Sequence, residues 1–369
     1  MFKPANITIV VVIYNDEKFG KRAIESVLNQ TYKNIKVKIL NNGSTDNSGK
    51  MIDEFSFDPR VEIITNSYNQ RSEFAVREAL KTDTEFLSFL FSDDSYEENR
   101  IEYMHAYLAK HSEAAAVFSN NTYVNEDGLE IANLDPSINS DISLFSTEEH
   151  LSKMLLIGNS LHPCSMLIRT EAYRSLGGFK GYLHRIGDLT FFASLLINFE
   201  VRFLEAKVQR ITLWKSQRNE SALNSYDYRG IFFERSLFLE LFKSEKALKK
   251  VEFIFPDLKS MITKDDYCRA ERLFFMGYKI TNVDAVDYLA VGARFLFEAY
   301  EEDPGRVEVL AMRCFDKTFA RLSYDLSRRP WYGPESMLYT LMASLKKHKI
   351  FVFLYRRFIK NKFTPKVRR

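Results

Sequence analysis

Asp93 and Asp94 stand side by side directly after the apolar run Phe86–Phe91. Two adjacent carboxylates at the end of a buried strand repel each other and lose hydration, so they suit a site that supplies a compensating cation. Hard oxygen ligands of this kind fit Mg2+ or Mn2+, ions that also clamp a diphosphate. The same pair fits a solvated acidic turn capping the helix after Glu97, and the motif by itself does not separate the two readings. Two more polar clusters, Tyr14-Asn15-Asp16 and Asn41–Asp46, also follow apolar runs. Asp188, next to Gly187 and ahead of an apolar helix, reads locally as a helix N-cap. His162, before Pro163, fits either a loop imidazole bonded to backbone or a substrate contact. Trp214 fits either a ring stacked on a sugar or a side chain closing the core.

These residues need a scaffold, and the N-terminal half supplies one by alternating strand and helix signals. Ile7–Ile13, Val37–Leu40, Val61–Thr65 and Phe86–Phe91 are short β-rich runs. Runs so apolar fit strands covered on both faces. Between them, Phe19, Ala23, Ile24, Val27 and Leu28 recur at helical spacing. Met51, Ile52 and Phe55 mark a helix capped by Thr45 or Asp46, and Glu73–Lys81 is a third. Such alternation means a mostly parallel sheet with helices on both faces, whose ligands bind beyond the carboxyl ends of the strands. All three polar clusters sit at such ends. Further on, Ala116–Val124 and Cys164–Arg169 read as strands, Glu148–Leu156 and Leu189–Ile197 as helices, and Val201–Leu213 as a return through strands. Strand signals fade near residue 225. Phe232–Phe242, Lys264–Met276, Ala285–Tyr300 and Val307–Leu326 are helical, so the expected division is residues 1–225 and an all-helical domain over 226–369.

Charge is unevenly spread. Lys346–Arg369 holds ten Lys and Arg and no acid, so a chain of formal net charge +3 has a body at −7. Ile350, Phe351, Phe353, Leu354, Phe358 and Ile359 are interleaved with Lys349, Arg356, Arg357 and Lys360, the pattern of a basic interfacial helix. The alternative is a terminal helix docked on its own domain. No apolar run reaches the length of a membrane span, and the opening MFKPANITIVVVIYND does not read as a secretion signal. Cys164, Cys268 and Cys314 lack ligand spacing and read as reduced core thiols of a cytoplasmic protein. The resulting expectation is a cytoplasmic location, peripheral at the membrane face, with no nucleic-acid partner.

Five segments in fixed order resemble the family 2 glycosyltransferases: VVIYN, RAIESVLNQTYKNIKVKILNNGSTDNS, FLSFLFSDDS, NSLHPCSMLIRTEAYRSLGGF and GDLTFFASLL. The resemblance spans roughly Ile7 to Ser221. It implies an α/β GT-A fold, a Rossmann-like mixed sheet of the nucleotide-diphospho-sugar transferase type, followed here by the helical domain. It also implies an inverting enzyme that moves a sugar from a nucleotide-sugar donor, UDP-linked by expectation, to a glycan or lipid-linked acceptor in surface polysaccharide biosynthesis.

By the same resemblance, Tyr14 and Asn15 stand near the nucleoside, and Asn42 and Ser44 lie in the turn contacting the base. Asp93 contacts ribose or metal, and Asp94 is the principal ligand of Mn2+ or Mg2+. Arg71 neutralises the diphosphate, and Asp188 is the general base. The chain departs from the family pattern in four motifs. Val12 replaces a Pro, Asn41-Asn42 replaces an Asp pair, and Gly187 replaces the acid before the base. In LWKSQRNES, Gln217 holds the place of a His, with Lys215 and Arg218 as alternative diphosphate partners. These losses define the alternative: a degenerate relative that binds a nucleotide or glycan, or serves as a scaffold.

Overall fold

The computed structural model describes residues 7–134, 140–214, 228–260, 267–281, 283, 286–307 and 309–310. The chain divides into two compact units, Met1–Ser225 and Tyr226–Arg369. The first is built on one eight-stranded mixed sheet.

Strands β1 (Ile7–Ile13), β2 (Ile35–Asn41), β3 (Val61–Thr65) and β4 (Phe86–Phe91) alternate with helices α1 (Gly20–Leu28), α2 (Ser48–Asp53) and α3 (Ser72–Leu80). Then come β5 (Ser95–Tyr96), α4 (Arg100–Lys110), β6 (Ala114–Val124), α5 (Thr147–Leu156), β7 (Met166–Arg169), α6 (Thr170–Ser175), α7 (Gly187–Asn198) and β8 (Glu200–Thr212). The sheet order is β3-β2-β1-β4-β7-β6-β8-β5. β3, β2, β1 and β4 run parallel, β7 is antiparallel to both β4 and β6, and β6 and β8 are parallel. This is the mixed α/β sheet expected from the sequence.

The register explains where the polar clusters go. Ile13 pairs with Asn41, and Asn41 with Thr65, so three strands stop level with one another. Ile7, Ile9, Val10, Val11 and Ile13 are fully buried, each contributing about 1.5–3 kcal/mol by burial. That core fixes β1 in register and brings residues 14–17, 41–48 and 92–94 to one edge.

Several sequence expectations are adjusted locally. Val201–Leu213 is one long strand rather than several; irregularities opposite Ala114–Asn121 let it follow β6 without a turn. Neither Thr45 nor Asp46 is the cap of α2: that position is Asn47, while the Asp46 carboxylate accepts the Ser48 amide from one residue before it. Cys164 is not in a strand, because His162 and Pro163 open a 3-10 turn, Pro163–Ser165, ahead of β7.

Gly43 shows how tight the edge is. Its φ is +76°, and a Cβ there would stand 2.3 Å from the Tyr68 carbonyl carbon. Gly43→Ala meets both left-handed strain and a backbone clash, so it should cost at least about 2 kcal/mol. Thermal melting should show a Tm lower by roughly 4–8 °C; an unchanged Tm would contradict the packing.

The second unit is helical throughout its described residues: α8 (Tyr228–Glu240), α9 (Glu245–Leu248), α10 (Val251–Ile254), α11 (Arg269–Thr281) and α12 (Val286–Glu302), with short 3-10 turns. At the α11–α12 crossing a Cβ on Gly277 would stand 2.9 Å from the Gly292 carbonyl oxygen, so the two backbones nearly touch. The predicted helix over Val307–Leu326 and the basic tail lie essentially outside the described residues. No helix of the described residues is long and apolar enough to cross a membrane.

Candidate active site

The turn after β4 sends its two carboxylates in different directions. Asp94 turns inward and is 3 % exposed. Its Oδ1 accepts the Thr212 amide N–H at 2.9 Å, and its Oδ2 accepts the Cys164 thiol at 3.3 Å. Desolvation, reinforced by Asp93, pushes its carboxyl well above the ordinary range. Asp93 is only partly buried, and its Oδ2 accepts the Trp214 indole N–H at 2.7 Å. The Asp93 carbonyl accepts from Arg22 at 2.8 Å and from the Thr212 hydroxyl. Trp214 sets its ring edge-on to Phe19 at 5.0 Å. Its role in the structure is thus a clasp on Asp93.

Asp94 is the buried acid that calls for a cation. Both groups donating to it, an amide and a thiol, are neutral. A carboxylate so placed is stabilised by a divalent ion more than by anything now bonded to it. Asp94, His162 and Cys164 have ligand atoms that all lie within 4.8 Å of one another. The donor set therefore fits a metal ion, with Asp93 outside this trio. His162 accepts the Cys164 amide N–H through Nδ1 at 3.2 Å, which is the loop imidazole bonded to backbone of the first sequence reading. Burial pushes its pKa down to about 4, keeping it neutral. Arg100, fully buried, donates from Nη2 to the Cys164 carbonyl at 2.7 Å and to that of Met166 at 3.2 Å, and so pins the Cys164 turn.

Beyond the ends of β1 and β2, two loops are laced together. The Asn15 backbone N–H donates to the Ser44 hydroxyl at 3.1 Å, and the Asn15 side-chain Oδ1 accepts the Thr45 backbone N–H at 2.7 Å. Asp16 and Ser48, and Glu17 and Asn47, add two more links. Tyr14 is 44 % exposed and Tyr68 64 %, leaving aromatic faces available on this edge. Asn15 (φ 47°) and Arg71 (φ 52°) are the non-glycine residues with positive φ among those described. Strain of that kind concentrates where geometry serves function. Arg71 is exposed at the N-cap of α3.

Asn42 is placed differently from a free base-reading group. Its Nδ2 donates to Asn69 Oδ1 at 3.0 Å and to the Arg71 carbonyl at 2.9 Å. Its Oδ1 accepts from the Gln70 amide at 3.0 Å and from Asn66 at 3.4 Å. The amide is spent on shaping the loop 66–71 that carries Arg71. A carboxylate cannot donate, so an Asp here would lose two of these bonds. That gives the Asn42 departure a physical reason.

Asp188 lies one residue inside α7, whose N-cap is Ile186, so the local N-cap reading does not hold. Its Oδ1 accepts the Leu189 amide at 2.7 Å and its Oδ2 accepts Asn159 Nδ2 at 3.0 Å. Desolvation raises its pKa. Asn159 and Cys164 are five residues apart, so their Cα atoms are at most about 17 Å apart. One short segment thus touches Asp188 at its start and Asp94 at its end. Gly187 is also explained: a Cβ there would stand 2.6 Å from the Lys180 carbonyl oxygen. The acid seen at that place in the family does not fit this backbone. Lys215, Gln217 and Arg218 lie outside the described residues.

Sequence reasoning missed Cys164, Arg100, Thr212 and Asn159. Cys164 and Asn159 belong to the NSLHPCSMLIR segment, whose polar residues ahead of a strand were a usable signal. Arg100 and Thr212 carry none, since their partners are distant in sequence.

Residues 8–177 match the model of glycosyl transferase family 2. Over 316 residues the chain is 22 % identical to an uncharacterized glycosyltransferase of Haemophilus influenzae, covering 79 % of this chain and 96 % of that one. Over 254 residues it is 24 % identical to an uncharacterized glycosyltransferase of Rickettsia felis, covering 67 % of this chain. It spans 41 % of that relative's length. Over 124 residues, a third of this chain and 48 % of the other, it is 31 % identical to the Escherichia coli UDP-Glc:alpha-D-GlcNAc-diphosphoundecaprenol beta-1,3-glucosyltransferase WfgD. Among solved structures, S. aureus TarS 1–349 in complex with UDP-GlcNAc superposes with a TM-score of 0.52 at 14 % identity, covering 83 % of each chain. That likeness gives the fold. The mixed sheet and the TarS superposition give the GT-A fold, and residues 8–177, which carry the paired acids after β4, match glycosyl transferase family 2.

Proposed function

We propose that the chain is an inverting glycosyltransferase that moves a sugar from a UDP-sugar to a hydroxyl of a glycan or lipid-linked acceptor, in surface polysaccharide biosynthesis. The observation carrying this reading is the pair of desolvated carboxylates, Asp94 and Asp188, tied to the two ends of segment 159–164. TarS structures with UDP and UDP-GlcNAc, and the UDP-Glc in the name of WfgD, favour uridine donors.

The chemistry follows from the placement. As the acceptor hydroxyl attacks the anomeric carbon, it must lose a proton, and Asp188 takes it. Attack opposite the leaving nucleoside diphosphate inverts that carbon and needs no protein nucleophile. Negative charge gathers on the leaving diphosphate; Arg71 faces it, and Asp94 holds the divalent cation, Mn2+ or Mg2+ by family resemblance, whose charge offsets the rest. Tyr14, Asn15 and Ser44 form the nucleoside end of the cleft, and Asp93, steadied by Trp214, faces the ribose. The catalytic work belongs to residues 1–225, and the helical unit 226–369 serves acceptor or partner binding. The basic tail places the enzyme at the cytoplasmic membrane face.

A panel of UDP-, GDP- and dTDP-sugars tests this. Divalent-dependent hydrolysis or transfer with a UDP-sugar is the expected result. Nucleotide binding by calorimetry with no turnover on any donor would instead support the degenerate relative.

A further inference from the structure

We infer that the cation site is a mixed oxygen, nitrogen and sulfur site, formed by Asp94, His162 and Cys164, and that it holds borderline-soft ions such as Zn2+ or Co2+ more tightly than Mg2+. This rests on the reading that Asp94 binds a divalent cation, and adds which side chains join it. The three ligand atoms fall within 4.8 Å of one another, on two loops that the sheet fixes independently. The Cys164 Sγ–Asp94 Oδ2 separation is 3.3 Å, against about 3.5 Å for the edge between a thiolate and a carboxylate oxygen around tetrahedral zinc. Asp93, the other acid of the pair, has one oxygen occupied by the Trp214 indole and does not join the trio.

The chemistry of each donor is accounted for. Because His162 Nδ1 accepts an amide N–H, its ring proton sits on Nε2, and the Nδ1 lone pair is the one on offer. Ligation there trades a long 3.2 Å hydrogen bond for a metal–nitrogen bond. At Cys164 the S–H bond breaks, the sulfur keeps the electron pair as it bonds the ion, and the proton leaves to solvent. The fourth position stays open for a solvent or substrate oxygen, as in reactive zinc sites. Arg100 holds the Cys164 carbonyl and so fixes the turn that presents the thiol. A thiolate ligand favours Zn2+ and Co2+ over the hard, hydration-loving Mg2+.

Cobalt titration of the reduced full chain tests this without reference to turnover. Expected are a near-ultraviolet thiolate-to-cobalt charge-transfer band saturating at one ion per chain and release of about one proton. Zinc should displace the cobalt, and excess magnesium should not. The double variant Cys268→Ser/Cys314→Ser should keep the band, which assigns it to the remaining thiol even if Cys164→Ser folds poorly. Cys164→Ser should lose it, and His162→Gln should keep it with weaker binding. A parent spectrum with weak octahedral bands alone, or a band that persists in Cys164→Ser, would overturn the ligand set. If that happens while Mg2+- or Mn2+-dependent UDP-sugar turnover is present, the transferase reading stands and only the ligand set fails. If the cobalt band appears but no nucleotide-sugar binds or turns over, the site is upheld and the transferase reading fails.

Discussion

Asp94→Asn should lower divalent-dependent turnover of the nucleotide-sugar by about 10²–10³-fold, the usual effect of removing one stabiliser of developing charge. The substitution keeps the shape, leaves an oxygen to accept the Thr212 amide and sets an NH2 against the Cys164 sulfur, which can accept from it weakly, so the fold should survive. What it removes is the charge that a cation needs. In the parent, adding the ion should raise Tm, because a ligand that binds only the native state stabilises it by mass action. In Asp94→Asn that rise should vanish. Turnover equal to the parent's, with the same ion-dependent Tm, would remove Asp94 from the cation site.

Asp188→Asn should reduce kcat by about 10²–10⁴-fold, the range attributable to a positioned general base, while leaving donor affinity by calorimetry unchanged. Its effect on stability separates this role from a structural one. Desolvation raises the Asp188 pKa in the folded state. A raised carboxyl pKa means that ionisation costs stability above the folded pKa, a cost that fades as pH falls through it. Asn carries no such cost; its one oxygen can still accept the Leu189 amide, while its NH2 takes the place of the oxygen facing Asn159, so only that one exposed hydrogen bond is lost. Tm at neutral pH should therefore hold or rise while transfer collapses. The parent's own rate should fall on acidification through a pKa above the ordinary aspartate value, since the base must be ionised to take the proton. A large loss of Tm, or a retained rate, would count against the base assignment.

Much of this was legible in the chain. The strands Ile7–Ile13 and Phe86–Phe91 were marked by composition, because strands covered on both faces tolerate little but apolar side chains; Val61–Thr65, at the end of the sheet, was marked by its β-branched residues although it is only partly buried. Three polar clusters following such strands had to gather at one sheet edge, since parallel strands in register end together. The resemblance carried by five ordered segments supplied the family, which the match over residues 8–177 bears out.

The tertiary structure decided what local sequence cannot encode. Neighbouring residues leave the end of a strand in different directions, but nothing within 86–94 says which acid turns inward. Thr212, 118 residues on, and Cys164, 70 residues on, settle that Asp94 does. The same holds for Asn42, whose amide is needed because its partners are a side-chain oxygen and a carbonyl in another loop. It holds for Gly187, whose missing side chain answers to the Lys180 backbone. Sequence alone determined which elements form and which residue types reach the edge, because those depend on nearby periodicity and burial. The partners of each side chain depend on contacts that exist only once distant strands have paired.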